Sequence, residues 1–393
     1  MTPAARIAAA AEVLDEIGTM GRAEPALKAW SRGNRYAGSK DRAAIRDHVF
    51  DVLRARRSLA KLGGGNTGRA LMLGLLRRQG ANIDAFFSGD GYGPAVLEAH
   101  EQATLAETPE MTDAEQADLP DWLWPIWADS LGATAMTTAQ ALQDRAPISL
   151  RVNLRRATID NAHDILRQDA VRTCKVDKVN TALQVLENER RIKMSTAFMD
   201  GLVELQDVAS QMAIQGFDLG KNSRVLDYCA GGGGKALAFA DQYDAHIVAH
   251  DIAPQRMADL PDRAARAGVV VAHCATDALS AQAPFDLVFC DAPCSGSGTW
   301  RRTPDAKWQL TNQLLSEYNR MQDDALSAAS RYVSDNGTLV YATCSVLRSE
   351  NQDRIDAFLA AHEGWIVSET WQLAPNEMHD GFFRTVLNRG PVS

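Results

Sequence analysis

The stretch SRVLDYCAGGGGKALAFADQY (Ser223–Tyr243) decides the fold: an apolar strand-like run enters four consecutive glycines and leaves as an amphipathic helix. Glycines at such a junction let the backbone approach a ligand closely, beside the partial positive charge of a helix N-terminus. Downstream the same alternation repeats. HIVAHDI (246–252) reads as a strand and PQRMADLPDRAARAG (254–268) as a helix. FDLVFCDAPC (285–294) is a strand, LTNQLLSEYNRMQDDALSAASRYV (310–333) a long helix, and GTLVYATCS (337–345) a further strand. Alternation of this kind predicts an α/β fold, a mostly parallel sheet with helices on both faces. Ligands of such folds bind at the carboxyl ends of strands, where the unusual residues of this chain cluster.

Two nucleotide motifs can be tested on the glycine run. A Walker loop needs Gly five positions before Gly234 and Ser or Thr after Lys235; the chain has Cys229 and Ala236 there, so that motif fails. A dinucleotide fingerprint is met by Gly231 and Gly233 and permits Ala236 at its third position, so glycines alone leave a nucleotide dehydrogenase open. The acids decide. Asp251 ends the second strand, where a carboxylate can accept both ribose hydroxyls; Asp277 follows a third strand-like run, and Asp291 ends the fourth. One strand-end aspartate is as readily an ordinary loop residue, but three in succession fit a cofactor laid across the strand ends.

Upstream, residues 1 to about 142 read as helical. In DRAAIRDHVFDVLRARRSLAKL (41–62), Ile45, Val49, Val52, Leu53, Leu59 and Leu62 recur at roughly helical spacing, with Ser39 as its N-cap. GGGNTG (63–68) separates that helix from RALMLGLLRRQG (69–80). Trp122, Trp124 and Trp127 could offer bases a stacking platform, but the four-residue spacings Trp122–Ile126 and Leu123–Trp127 are explained more simply by helix packing. Near Pro147 the texture changes: ISLRVNL (148–154) and ALQVLE (182–187) read as strands around a short helix at 158–168.

Composition bounds the function. The 393 residues are 46% hydrophobic and 23% charged, ordinary for a globular chain of two or three domains. No apolar run approaches the roughly 20 residues of a membrane span, and the Ala-rich N-terminus lacks the basic start of a signal peptide, so a cytoplasmic protein is expected. Its six cysteines are then expected to be reduced. The net charge of −9 is unevenly spread: residues 1–80 hold 15 Lys/Arg against 7 Asp/Glu, whereas residues 81–147 hold one basic residue against 12 acidic. A basic N-terminal face, with Arg54, Arg56, Arg57 and Arg69 among its cations, suits phosphate contact; a solvated helical surface would look the same.

Carbon 5 of cytosine is a poor nucleophile. Addition of a thiolate to carbon 6 makes it an enamine able to attack a methyl sulfonium, after which the carbon 5 proton and the thiol must leave. FCDAPCSGSG supplies Asp291 and Cys294, and YATCS supplies Cys344, each after an apolar strand-like run. Cys174, Cys274 and Cys290 read as small buried hydrophobes.

With these motifs the sequence closely resembles the RsmB/Nop/Sun family of RNA 5-methylcytosine methyltransferases over most of residues 147–393. The likeness rests on GLVELQDVASQMA (201–213), LDYCAGGGGK, DAPCSGSGTWRRTPDAKW (291–308), TCS with ENQ at 350–352, and DGFF at 380–383. It implies a Rossmann-like class I methyltransferase domain over 216–393 and a small ferredoxin-like α/β subdomain over 146–215. ARIAAAAEVLDEI and SKDRAAIRDHVFDVLR resemble a NusB-like RNA-binding domain, which the resemblance places over 1–145. It further implies Cys344 as nucleophile, Cys294 as the residue assisting product release, and Asp291 hydrogen-bonded to the base. S-adenosyl-L-methionine would be held by Cys229 (through its backbone), Ala230, Gly231, Gly232, Gly233, Gly234 and Lys235, with Asp251, Asp277 and Asp291. The expected partner is ribosomal RNA, 16S first; neither a metal nor a membrane is expected, and the protein is expected to be a monomer. The loop departs from the family's usual Cys-Ala-Ala-Pro-Gly-Gly-Lys-Thr at Gly231, Gly232 and Ala236, so weaker cofactor affinity is expected. A DNA cytosine methyltransferase, with Cys294 as nucleophile, and a catalytically silent RNA-binding protein are the competing readings.

Overall fold

The computed structural model describes residues 1–390; the last three residues of the expected C-terminal domain, 391–393, lie outside the described residues. The chain divides into two compact units. One is Met1–Arg145 together with Trp300–Asn312, and the other comprises the remaining residues from Ala146.

The first unit is helical: α1 (Pro3–Met20), α2 (Ala23–Gly33), α3 (Ser39–Arg54), α4 (Arg56–Gly63) and α5 (Gly68–Arg78) enclose a core of Ile7, Val13, Ile45, Val49, Leu59 and Met72. Thr2 caps α1 by accepting from the Ala5 amide at 3.2 Å, and Pro3 opens it. Gly38, not Ser39, is the N-cap of α3, where the Asp41 carboxylate takes the Gly38 N–H. The helix expected over 41–62 is broken at Ala55. Asp118 causes the break: its buried carboxylate accepts from Arg57 N (2.8 Å), Ser58 N (2.9 Å) and Ser58 Oγ (2.8 Å), giving α4 an N-terminal cap from a distant part of the chain. Trp127 is fully buried, as the packing reading expects; its Nε1 donates to Ala135 O at 2.9 Å and its ring stacks on Trp300.

Trp300–Asn312, the stretch that follows the DAPCSGSGT motif, is built into this helical unit. Trp308 Nε1 donates to Leu53 O (2.7 Å), Ala23 N to Asp305 (3.1 Å), and Arg54 Nε to Arg301 O (2.8 Å). Lys307 is 2% exposed and donates to Arg54 O at 3.0 Å. Burial lowers the Lys307 ammonium to about 8, partly offset by Asp118, whose own carboxyl burial raises.

The second unit holds two sheets. The smaller has the order β2-β3-β1-β4, with β1 (Ile148–Val152), β2 (Arg172–Lys175), β3 (Ala182–Glu187) and β4 (Val203–Leu205) all antiparallel. The helix Ile159–Gln168 packs Ala162 and Leu166 against it. The larger sheet reads β10-β11-β9-β8-β5-β6-β7. Its strands β5 (Arg224–Asp227), β6 (His246–Ala249), β7 (Ala272–His273), β8 (Phe285–Asp291) and β9 (Val333–Thr343) are parallel. The antiparallel β10 (Trp365–Leu373) and β11 (Phe382–Arg389) extend one edge. From β5 the chain moves outward to β6 and β7, then returns to lay β8 on the other side of β5. The sheet therefore has its switch point between β5 and β8, where the two loops open a crevice.

Candidate active site

The two switch-point loops, with the segments that follow β6, β7 and β9, carry the predicted residues. Cys229 to Gly233 turn tightly between β5 and the helix Gly234–Gln242; Gly233 N donates to Ala230 O at 2.7 Å. Gly231 and Gly233 have φ of +52° and +76°, the left-handed region, and a Cβ at Gly233 would lie 2.5 Å from Leu260 Cδ1. The Gly231 amide donates to Asp251 Oδ2 at 2.9 Å, and Ala253 N donates to Asp251 Oδ1 at 2.9 Å. Asp251 is thus buried and shapes the glycine loop before any ligand is considered. Asp277 lies exposed in a single turn, Thr276–Ala278, after β7. The Cys229 thiol lies against Cys290 and, with burial, holds that thiol protonated.

Sequence reasoning missed two supports of this loop. Asp227, at the end of β5, is 1% exposed, and neither carboxylate oxygen has a hydrogen-bond partner among the described residues. Burial raises its carboxyl to about 7; Lys235 and the nearby Ala236 N–H oppose the rise, while the negative charges of Asp291 and Asp251 add to it. The strand-end position that singled out the other aspartates marks Asp227 equally. Arg151, on β1, is 1% exposed and reaches Asp241 (2.7 Å), Gln206 Oε1 (2.7 Å) and Gly234 O (3.2 Å), so the small sheet braces the first turn of the glycine-loop helix. Here the signal is faint: one arginine in a strand-like run.

The loops after β8 and β9 bring the cysteines together. Cys294 follows β8 and Cys344 follows β9, and their sulfurs are 3.5 Å apart. The hydrogen bond to Cys344, burial and the Cys344 charge all push the Cys294 thiol well up, so Cys294 holds its proton. Thr299 Oγ1 stands 3.9 Å from the Cys344 sulfur. The loop is pinned from behind: Gly298 N donates to Cys344 O and Gly381 N to Gly298 O, each at 2.9 Å, and a Cβ on Gly298 would lie 2.7 Å from Gly381 Cα. This close backbone approach is why glycine stands in both SGSG and DGFF.

Lys235 joins the two loops. Its ammonium is 2.5 Å from Asp291 Oδ2 and lies over the Phe382 ring. Burial works against the charge, but Asp291, Asp227 and Cys344 outweigh it and the ammonium is held above its usual range. Asp291, Cys294, Cys344 and Lys235 therefore surround one crevice. Asp251 and Asp277 lie on the side of β6 and β7. The orphaned Asp227 carboxylate and the glycine cradle suit a cationic, hydroxyl-bearing ligand. No group of three or more metal-ligating side chains occurs among the described residues, and no described helix is long and apolar enough to cross a membrane.

Of the four arginines expected to meet phosphate, each is engaged internally. Arg54 holds Arg301 O and Asp51, Arg56 lies over Trp308, and Arg57 binds Leu119 O and Asp121. Arg69 forms a fork with Glu101 at 2.7 and 2.8 Å. Between α2 and α3, a groove of about 440 Å³ is lined by Lys28, Arg32, Arg42 and Arg46; Arg46 pairs with Glu24 at 2.6 Å and Arg42 donates to Ala37 O at 2.9 Å, which leaves Lys28 and Arg32 as its remaining cations.

Comparison with known proteins agrees with this geometry. A family model described as 16S rRNA methyltransferase RsmB/F matches residues 215–387. A second, described as the ferredoxin-like domain of RsmF/B-like methyltransferases, matches residues 119–192. Ribosomal RNA small subunit methyltransferase B of Sodalis glossinidius is 28% identical, with 95% of this chain and 94% of that protein aligned. The protein of the same description from Proteus mirabilis is 29% identical, but the chain spans only 65% of its length. Among solved structures, PH0851 superposes with a TM-score of 0.75 over 99% of both chains at 22% identity. NSun6 from Pyrococcus horikoshii with SFG gives 0.61 over 69% of this chain and 98% of that one at 16% identity. At such identities the structural likeness speaks for the fold.

Proposed function

Because the chain belongs to the RsmB/Nop/Sun family, which includes the RsmB/F 16S rRNA methyltransferases, we propose that it methylates carbon 5 of a cytosine in 16S ribosomal RNA. The observation that carries the reading is the pair of thiols 3.5 Å apart beside Lys235 and Asp291 at the switch-point crevice. The Cys229–Lys235 loop, with Asp251 and Asp277, would hold S-adenosyl-L-methionine, which would supply an electrophilic methyl group on a sulfonium. The Cys344 thiolate adds to carbon 6, and the electron pair displaced from the carbon 5–carbon 6 double bond makes carbon 5 nucleophilic. Asp291 hydrogen-bonds the base, and Lys235, beside both Asp291 and Cys344, balances the negative charge that each carries. Once carbon 5 is methylated its proton passes to solvent water, the pair of that bond rebuilds the carbon 5–carbon 6 double bond, the carbon 6–sulfur bond breaks, and Cys344 leaves as thiolate. Cys294, the partner that keeps its proton, assists this release.

The helical unit is the part that meets RNA, through the cations of the α2–α3 groove. The test is transfer of a labelled methyl group to 16S RNA, with bisulfite sequencing to find the modified base. Label appearing on cytosine carbon 5 of RNA, and not of DNA of the same sequence, supports the reading; label on another atom or on neither polymer rejects it.

A further inference from the structure

Glu350 opens the ENQ segment and has no ionic partner among the described residues, yet it is fully buried. It lies behind the cysteine pair, not in the crevice. Its Oε1 accepts from Ser295 N at 2.7 Å and from Gln322 Nε2 at 3.1 Å, and its Oε2 accepts from Ser295 Oγ and Ser345 Oγ, each at 2.5 Å. Ser295 directly follows Cys294 and Ser345 directly follows Cys344. One carboxylate therefore ties together the residues next to both thiols, which come from loops 50 positions apart in sequence. The ties extend outward. Ser297 Oγ meets Ser345 Oγ at 2.8 Å and accepts from Val346 N at 2.9 Å, while Gln322 also holds Pro293 O at 2.9 Å. Tyr341 Oη fixes the Glu350 carbonyl at 2.7 Å. Asn351 Nδ2 donates to Ser345 O at 2.9 Å.

We propose that Glu350 is the positioning residue of the thiol pair: its carboxylate sets the separation and mutual orientation of Cys294 and Cys344 by clamping the serine after each. Burying a carboxylate without a cation is costly unless hydrogen bonds satisfy it, and here four donors do so. All four come from the two cysteine loops and the helix behind them, so the burial serves this junction and no other. Two thiols that must act in turn on one base need placement to well under an ångström, and misplacement by about 1 Å costs on the order of 10²-fold in rate. Glu350 touches no reacting atom in this arrangement and acts through the loops.

Because the proposal rests on the methyltransferase reading, its test uses a readout independent of RNA. Diamide, a diazene oxidant, accepts one thiolate at nitrogen; the second thiol then displaces the reduced hydrazine and forms the disulfide. The yield of the Cys294–Cys344 disulfide over time, mapped by peptide mass spectrometry, reports how often the sulfurs meet. In Glu350→Ala this rate is expected to fall about tenfold or more, and turnover on RNA about 10²-fold, with cofactor affinity within about twofold of wild type. Glu350→Gln, which keeps the acceptor for Ser295 N, should fall between the two. Should Glu350→Ala fail to unfold cooperatively, Ser345→Ala removes one of the four donors to Glu350, with the Ser297 and Leu347 contacts of the same hydroxyl, and should slow the disulfide by a smaller factor. Wild-type oxidation rates in both Glu350→Gln and Ser345→Ala would overturn the proposal. A wild-type protein that leaves RNA cytosine unmethylated would overturn the methyltransferase reading instead, while the oxidation rates would still judge the clamp.

Discussion

Replacing Asp227 by asparagine should stabilise the protein above neutral pH and, at the same time, weaken its hold on S-adenosyl-L-methionine. The carboxyl is 1% exposed with both oxygens unpartnered among the described residues, and it is raised from 3.8 to about 7. Between about pH 4 and 7 the native state keeps a proton here that the unfolded chain has already lost, so stability falls as pH rises through that window. The full penalty is about 4 kcal/mol at 1.36 kcal/mol per unit, of which about 2 kcal/mol is already present at pH 5.5. Asparagine keeps the shape and never ionises. Urea unfolding of both proteins should therefore show the variant's advantage growing by about 2 kcal/mol between pH 5.5 and pH 8. A cationic ligand would offset the same penalty by letting Asp227 ionise in its presence. Cofactor binding to wild type at pH 6 should accordingly release a proton, visible as a dependence of calorimetric heat on buffer ionisation enthalpy, and the variant should release none. An advantage independent of pH, or equal proton release by both proteins, would refute the reasoning.

Asp251→Ala removes the acceptor that holds Gly231 N and Ala253 N, so cofactor affinity measured by calorimetry should drop by about 1.5–3 kcal/mol while RNA affinity is nearly unchanged. The double variant Lys28→Glu/Arg32→Glu should weaken RNA binding and flatten its salt dependence by about two counterions, whereas Arg69→Gln, which breaks an internal pair, should lower the melting temperature and leave the salt slope alone. A chain lacking residues 1–145 loses the partners of Trp300, Lys307 and Trp308. It should aggregate or show red-shifted, solvent-exposed tryptophan emission, where an independent second unit would show neither.

The parallel core was legible because each of its strands ends in chemistry. Runs such as VLDYC, FDLVFCD and LVYATC are mostly apolar, as a strand covered on both faces must be, and the polar residues and cysteines at their carboxyl ends are the ones delivered to the crevice. The glycine loop, Asp251, Asp291 and both cysteines were found this way. The break in the 41–62 helix was not. It depends on Asp118, about 60 residues distant, and the periodicity of Val52, Leu53 and Leu59 survives a change of helix axis. The pairing of the N-terminal arginines was hidden for a related reason: net charge counts Arg57 and Arg69 as free surface cations, but Asp121 and Glu101, drawn from the acidic stretch 81–147, pair with them. The strands β2, β4 and β10 are short or mixed in pattern and gain their pairing from neighbours. The placement of Trp300–Asn312 in the helical unit leaves no local signature, since its tryptophans, Trp300 buried and Trp308 partly buried, read as packing residues whichever unit they join.

The division of labour between the cysteines is the centre of the account, and trapping of the covalent complex tests it most directly. Each cysteine is replaced by alanine, and the protein is incubated with substrate RNA and cofactor and run on a denaturing gel. Cys294→Ala keeps the nucleophile and should accumulate a protein–RNA adduct carrying the transferred methyl group, since loss of acid–base help of about 10²–10⁴-fold slows its release. Cys344→Ala should form no adduct and transfer no methyl group. An adduct that survives in Cys344→Ala and is absent from Cys294→Ala would contradict the assignment and make Cys294 the nucleophile.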